Sequence, residues 1–283
     1  MRKLTTILLL ALLLIGCSKQ PSVSDKMLVV SIVPLKYVVD NIVGDDFDIE
    51  VVVPAGASPE TYEPTPAQME KIESAKMIFA VGLMGFEQTL IERMTESTRG
   101  RYVALADGIE ADVEHHHHHH DGCGHGGANP HLWTSPRELR LMADNAYKAI
   151  AEVFPDSTKY ERAYRDFCVR LDSLDAEVAR RAEQLECRSF VIYHPTFHYM
   201  AERYGLEEIA VENHGKEPSV KHMQSVVVQA RRAGVSKVFY QREFPRAMVE
   251  TVATELGVEP IEVDVLSEDI ERMILNFMDK LAE

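Results

Sequence analysis

The chain has 283 residues, room for one large or two small domains, and its 46% apolar content is that of an ordinary globular protein with a real core. Asp and Glu outnumber Lys and Arg by 45 to 30, a formal net charge of −15. That excludes a nucleic-acid partner on compositional grounds, since such partners call for a basic face. It mildly favours drawing cations to the surface, though solubility alone accounts for it.

Arg2 and Lys3 precede an apolar run over residues 4–15, and Leu14-Ile15-Gly16-Cys17 then places small residues at a cleavage point ahead of a cysteine. A basic start, a short apolar stretch and small residues at the cut make a secretory signal. The run falls short of the roughly 20 apolar residues of a comfortable membrane span. With a cysteine directly after the cut, the segment resembles a bacterial lipoprotein signal. That resemblance implies a signal peptide over residues 1–16, a lipid on Cys17, a polar tether over 17–26 and an extracytoplasmic, lipid-anchored location. Cys123, Cys168 and Cys187 remain in the mature chain. Cys168 and Cys187 fall near the middle and end of one expected helix, too far apart to pair, so no intramolecular disulfide is expected.

Two blocks of alternating strand and helix signals follow. In the first, over residues 27–154, strands are expected at 28–33, stopped by Pro34, and at 49–53, 77–81 and 102–105. Helices are expected near 35–43, 66–74 and 86–97. The second block, 187–283, repeats the pattern with strands at 189–193, 208–211, 237–240 and 260–263. Its helices are expected near 196–204, 219–233, 245–256 and 267–281. Between the blocks, Tyr160, Tyr164, Phe167, Leu171, Leu174, Val178 and Leu185 recur at steps of three and four, the period of one helix face. Asp156 or Ser157 is placed to cap it, and the helix is expected over 155–186. The fold class is therefore α/β: two lobes, each a mainly parallel four-stranded sheet flanked by helices, joined by one long backbone helix.

Three segments carry metal chemistry. Glu114 is followed by His115, His116, His117, His118, His119 and His120, then by Asp121, Cys123 and His125. Imidazole and thiolate are the commonest zinc ligands, and the small residues around the tract suit a loose metal-recruiting loop, 114–127, better than a rigid site. Asn129-Pro130-His131-Leu132-Trp133 comes directly after it, ahead of a helix opening at Ser135-Pro136. Far along the chain, Tyr193-His194-Pro195 sets a histidine at the end of a strand. Ligands of α/β sheets gather beyond the carboxyl ends of strands, so His131 and His194 are expected to meet in a cleft, although either alone is ordinary as a structural residue. His198, four residues on, is the alternative ligand; with Pro195 expected to open the next helix, His194 and His198 need not share a face.

These segments are similar, in order, to the landmarks of the metal-binding solute-binding proteins of ABC importers, the zinc and manganese receptors. Gly56-Ala57-Ser58-Pro59-Glu60-Thr61-Tyr62-Glu63-Pro64 resembles the family's first metal motif. Pro130-His131-Leu132-Trp133 resembles the second, and His194-Pro195-Thr196-Phe197-His198-Tyr199 the third. Glu217-Pro218-Ser219 and Glu262-Val263-Asp264-Val265-Leu266 match later landmarks. The resemblance implies a two-lobed clamp with His131, His194 and Asp264 on ligand positions. Where the family's first motif has His, Glu60 stands here, and a carboxylate also binds zinc. The expected metal set is thus Glu60, His131, His194 and Asp264.

The implied function is capture of Zn2+ as cargo and delivery to an ABC permease and its ATPase, by a monomer that is not an enzyme. Two carboxylates beside two imidazoles also suit Mn2+ or Fe2+, the alternative cargo. A metal-buffering or adhesin lipoprotein would use the same site. A secreted zinc hydrolase needs an open coordination position and a nearby base, and neither a His-Glu-x-x-His helix nor a Ser/His/Asp grouping is present.

Overall fold

A computed structural model describes residues 23–110, 128–155, 157–212 and 218–283. Cys17, the recruiting loop with His115–His120, Cys123 and His125, Asp156 and Glu217 lie outside the described residues.

The first strand, β1, is Met27–Val30. It is followed by α1 (Val33–Val43), β2 (Asp48–Val51), α2 (Pro66–Ser74), β3 (Met77–Ala80), α3 (Gly85–Arg93), α4 (Glu96–Arg99) and β4 (Tyr102–Ala104). The strands pair in parallel in the order β2-β1-β3-β4. All four residues of β3 are buried, as a central parallel strand covered on both faces requires. Two expectations shift here. Pro34 does not stop the strand but sits in the first turn of α1, where its missing N–H costs nothing. The single helix expected over 86–97 breaks, because Thr95 caps α4 by accepting from the Thr98 N–H, while Glu73 receives the Thr95 N–H and hydroxyl.

A 3-10 turn (Leu132–Thr134) leads into α5 (Pro136–Val153), and α6 (Thr158–Glu183) is the long helix that joins the lobes. Its 26 residues span about 39 Å at 1.5 Å per residue. Ser157 caps its start by accepting from the Tyr160 N–H, and Phe167, Leu171, Leu174, Val178 and Ala182 form its buried stripe.

The second lobe comprises β5 (Ser189–Ile192), α7 (His198–Tyr204), β6 (Glu207–Ala210), α8 (Val220–Arg232), β7 (Val238–Gln241), α9 (Ala247–Leu256), β8 (Pro260–Val263) and α10 (Ile270–Ala282). Its sheet order, β6-β5-β7-β8, again all parallel, repeats that of the first lobe. Period-two alternation divides β5 and the residue after it between two cores: Phe190 and Ile192 face the main one, Val191 and Tyr193 the outer one beneath α8 and α9. The main core is continuous through both lobes, since α6 packs on α1 and α5 on one side and on α7 and α10 on the other. Cys168 and Cys187 are free thiols. Among the described residues, no helix is long and apolar enough to cross a membrane.

Both sheets switch direction between their first and third strands, and in such sheets ligands sit beyond the carboxyl ends of the strands at that point. The lobes bring these ends together. A cleft of about 230 Å³ lies there, lined from the first lobe by Glu60, Met84 and His131 and from the second by His194, Glu243 and Leu266.

Candidate metal site

His194 follows β5 closely, and three polar side chains hold its loop. Gln241, at the end of β7, bonds the His194 backbone on both sides: its Oε1 accepts the His194 N–H at 3.3 Å, and its amide donates to the His194 carbonyl and to Thr196 Oγ1. Glu208, on β6, accepts the N–H groups of Thr196 at 2.9 Å and Phe197 at 2.8 Å. The helix expected to open at Pro195 begins instead at His198, and the Thr196 and Phe197 amides ahead of it are satisfied by Glu208. Glu212, just past β6, takes the third contact, a short hydrogen bond to His194 Nδ1.

His131 is oriented from its own chain. The Asn129 side-chain oxygen accepts the His131 N–H at 3.0 Å and faces its Nδ1 at 2.8 Å. A carbonyl oxygen accepts only, so Nδ1 carries the proton and Nε2 keeps its lone pair. Three buried side chains tie this segment to the second lobe. Tyr199 OH donates to the Asn129 carbonyl at 2.6 Å, and Trp133 Nε1 to the Val265 carbonyl at 2.8 Å. Thr134 Oγ1 lies 2.8 Å from the His131 carbonyl and 2.6 Å from that of Thr196, so its one proton serves either lobe.

The result is a pair of imidazoles from opposite lobes with ring centres 5.1 Å apart. Glu60 Oε1 stands 3.2 Å from His194 Nε2. The turn that presents Glu60 is fixed at its base by Gln68, which completes a capping box with Thr65 and donates to the Val52 carbonyl. Tetrahedral zinc with ligand distances near 2.0–2.2 Å places its ligand atoms about 3.3–3.5 Å apart, close to the Glu60–His194 spacing. Among the described residues, Glu60, His194 and Glu212 form the group whose ligand atoms cluster tightly enough to hold an ion.

The electrostatics divide the two histidines. Burial, then the charges of His194 and His198, holds His131 well below the ordinary imidazole range, so it stays a neutral donor. For His194, burial works against the charge, but the Glu212 hydrogen bond and the charges of Glu60, Glu212 and Glu208 outweigh it and raise its pKa. Burial raises the Glu60 carboxyl, opposed by His194. A divalent ion entering between Glu60 and His194 Nε2 would replace a proton in a place already arranged for positive charge.

Asp264 stands apart from this group. Its carboxylate pairs with Arg242 at 2.5 Å, and the cleft is lined by its neighbours Val265 and Leu266. His198 is the first residue of α7 and lies 5.5 Å from the Tyr199 ring, outside the cleft lining. Glu212, Asn129 and Gln241 were not singled out from sequence. The signal for Asn129 was present, because a side-chain acceptor two residues before a histidine can reach that residue's backbone and ring. Glu212 and Gln241 reach His194 only through strand pairing.

Comparison with known proteins fits this geometry. The family described as the periplasmic zinc-uptake complex component A matches residues 28–283. The chain belongs to that family. The zinc-binding lipoprotein AdcA of Streptococcus pneumoniae is 25% identical over 281 residues, covering 94% of this chain and 55% of AdcA. The chain therefore spans about half the length of the AdcA relatives it matches. The high-affinity zinc uptake system protein ZnuA of Bacillus subtilis is 26% identical over 251 residues, 84% of this chain and 78% of ZnuA. A crystal structure of ZnuA superposes with a TM-score of 0.82 at 29% identity, covering 92% of this chain and 98% of that one. Members of the family are solute-binding proteins.

Proposed function

We propose that this protein is an extracytoplasmic receptor that captures Zn2+ as cargo in the cleft between its lobes and passes it to an ABC permease driven by its ATPase. The observation that carries this is the meeting of His131 and His194, one from each lobe, with Glu60 at 3.2 Å from His194 Nε2. Neighbours named as zinc-binding and zinc-uptake proteins support the choice of cargo. The protein acts as a binder rather than an enzyme, a monomer held to the membrane by a lipid on Cys17, with lobes over 27–154 and 187–283 about the long helix.

Two imidazoles and one carboxylate make three protein ligands, the number that leaves zinc a fourth position for water or a movable group. With Asp264 engaged by Arg242, the set is poorer in oxygen than octahedral manganese prefers. Mn2+ is the second reading, favoured by the carboxylate of Glu60 where the resembling motif has an imidazole. The recruiting loop, 114–127, supplies loose secondary binding that concentrates metal near the cleft. Because α6 packs against both lobes, release proceeds through movement of the Glu60 turn and neighbouring loops rather than a wide opening.

Competitive metal titration of the chain with and without residues 114–125 tests this. Deleting the loop lowers stoichiometry and leaves one tight site, while His131→Ala with His194→Ala removes that site. Tight binding that vanishes with the loop and survives the double substitution overturns the reading.

A further inference from the structure

We propose that Glu212 is a positioning residue for cargo binding: it fixes the ring of His194 so that Nε2 faces Glu60, and it does not itself coordinate the metal. This rests on the receptor reading above and assigns a role to a carboxylate that the resemblance to known receptors does not supply.

The geometry separates the two sides of the His194 ring. Nδ1 is in direct hydrogen-bond contact with Glu212 Oε2. Two atoms sharing a tetrahedral zinc stand about 3.3–3.5 Å apart, so that contact leaves no space for an ion between them. Nε2, on the opposite edge, is 3.2 Å from Glu60 Oε1, and there the spacing suits one. The burial pattern agrees: the Glu60 side chain is 44% exposed at the mouth of the cleft, His194 is 16% exposed behind it, and Glu212 is 5% exposed behind His194. Cargo arriving from solvent meets Glu60 first, and Glu212 lies deepest of the three. The Glu212 backbone is fixed to the same strand end, its N–H donating to the Tyr193 carbonyl at 2.8 Å.

The charge count gives the carboxylate a purpose. A divalent ion held by one carboxylate and two neutral imidazoles leaves one unit of positive charge in a partly enclosed cleft, and Glu212 cancels it from behind the ring. A carboxylate accepting from one ring nitrogen also makes the other a better donor, as in the carboxylate–histidine–metal arrangements of known sites. His131 has only the neutral amide of Asn129 in the equivalent place, so His194 is the stronger ligand of the pair.

The test uses the full chain, with Zn2+ affinity of its tightest site measured against competing chelators and coordination read from the visible bands of the Co2+-loaded protein. Glu212→Gln is expected to weaken Zn2+ binding about 10–100-fold, the usual cost of losing an outer partner of a ligating histidine. It should leave the Co2+ band positions unchanged, whereas Glu60→Gln shifts them. Unchanged affinity in Glu212→Gln overturns the proposal, and so does a Co2+ band shift as large as that of Glu60→Gln, which makes Glu212 a ligand. If Glu212→Gln does not fold, Glu212→Asp carries the same readings with the charge retained and the reach shortened. His194→Ala separates the two levels of inference. If it keeps the tight site, the receptor reading fails; if it loses the site while Glu212→Gln keeps full affinity, only the role of Glu212 fails.

Discussion

Asn129 is joined to His131 twice by one atom: its side-chain oxygen accepts the backbone N–H at 3.0 Å and faces ring Nδ1 at 2.8 Å. The first bond shapes the turn through Pro130, and the second selects the tautomer that leaves Nε2 to the cleft. Asn129→Ala should therefore weaken Zn2+ binding about 10–100-fold while the fold persists. Asn129→Asp keeps the acceptor and should restore most of the affinity. Chelator competition on both variants decides it; equal loss in the two would show that the amide acts in some other way.

The rings of Phe197 and Phe277 stack at 3.9 Å with planes 9° apart, and both are almost wholly buried. Phe277 also meets Phe190 and Phe239 edge-on or tilted, so α10 carries the aromatic centre of the second lobe's inner core. Phe277→Ala should cost about 3–5 kcal/mol, the range for truncating a buried aromatic side chain. Urea denaturation measures it, and a loss below about 1 kcal/mol would mean the core closes over the gap.

Much of this was legible in the chain because parallel α/β sheets write themselves as apolar runs separated by amphipathic stretches. Runs such as Leu28–Val30 and Phe190–Ile192 are buried on both faces, and the stripe from Phe167 to Val178 has one periodicity only. Boundaries shifted where side chains compete for backbone amides. Thr95 with Glu73 splits one helix in this way, whereas α7 simply begins at His198, three residues after Pro195. His131 and His194 were visible because a histidine beside a proline at an element end is conspicuous. Glu212 was not, since it lies 18 residues from His194 and reaches it only because β5 and β6 pair in register.

Asp264 offers a direct contrast with Glu60. Its carboxylate is held by Arg242 at 2.5 Å, while Glu60 faces His194. Asp264→Ala should change Zn2+ affinity by no more than about fivefold, equivalent to the roughly 1 kcal/mol that an exposed ion pair contributes. Glu60→Ala should cost more than the roughly 100-fold that loss of an outer-shell partner can bring. The same titration compares them. A larger loss for Asp264→Ala would mean that this carboxylate leaves Arg242 to reach the cargo.

Glu208 makes stability depend on pH in a direction unusual for a carboxylate. Burial pushes its carboxyl up to about 7, against the pull of the Phe197 and Thr196 N–H groups and the charges of His198 and His194. In the unfolded chain a glutamate titrates near its ordinary value of about 4.3. Between those values the folded protein keeps a proton that the unfolded chain has released, so this group's contribution falls as pH rises from about 4.3 to about 7 and levels off above. Glu208→Gln retains an oxygen that accepts from both amides and removes the titration. Urea denaturation in the presence of a chelator, at pH steps across that window, should show a flatter dependence in the variant than in the parent protein. Parallel curves for the two proteins would mean that Glu208 is ionised in the folded state throughout.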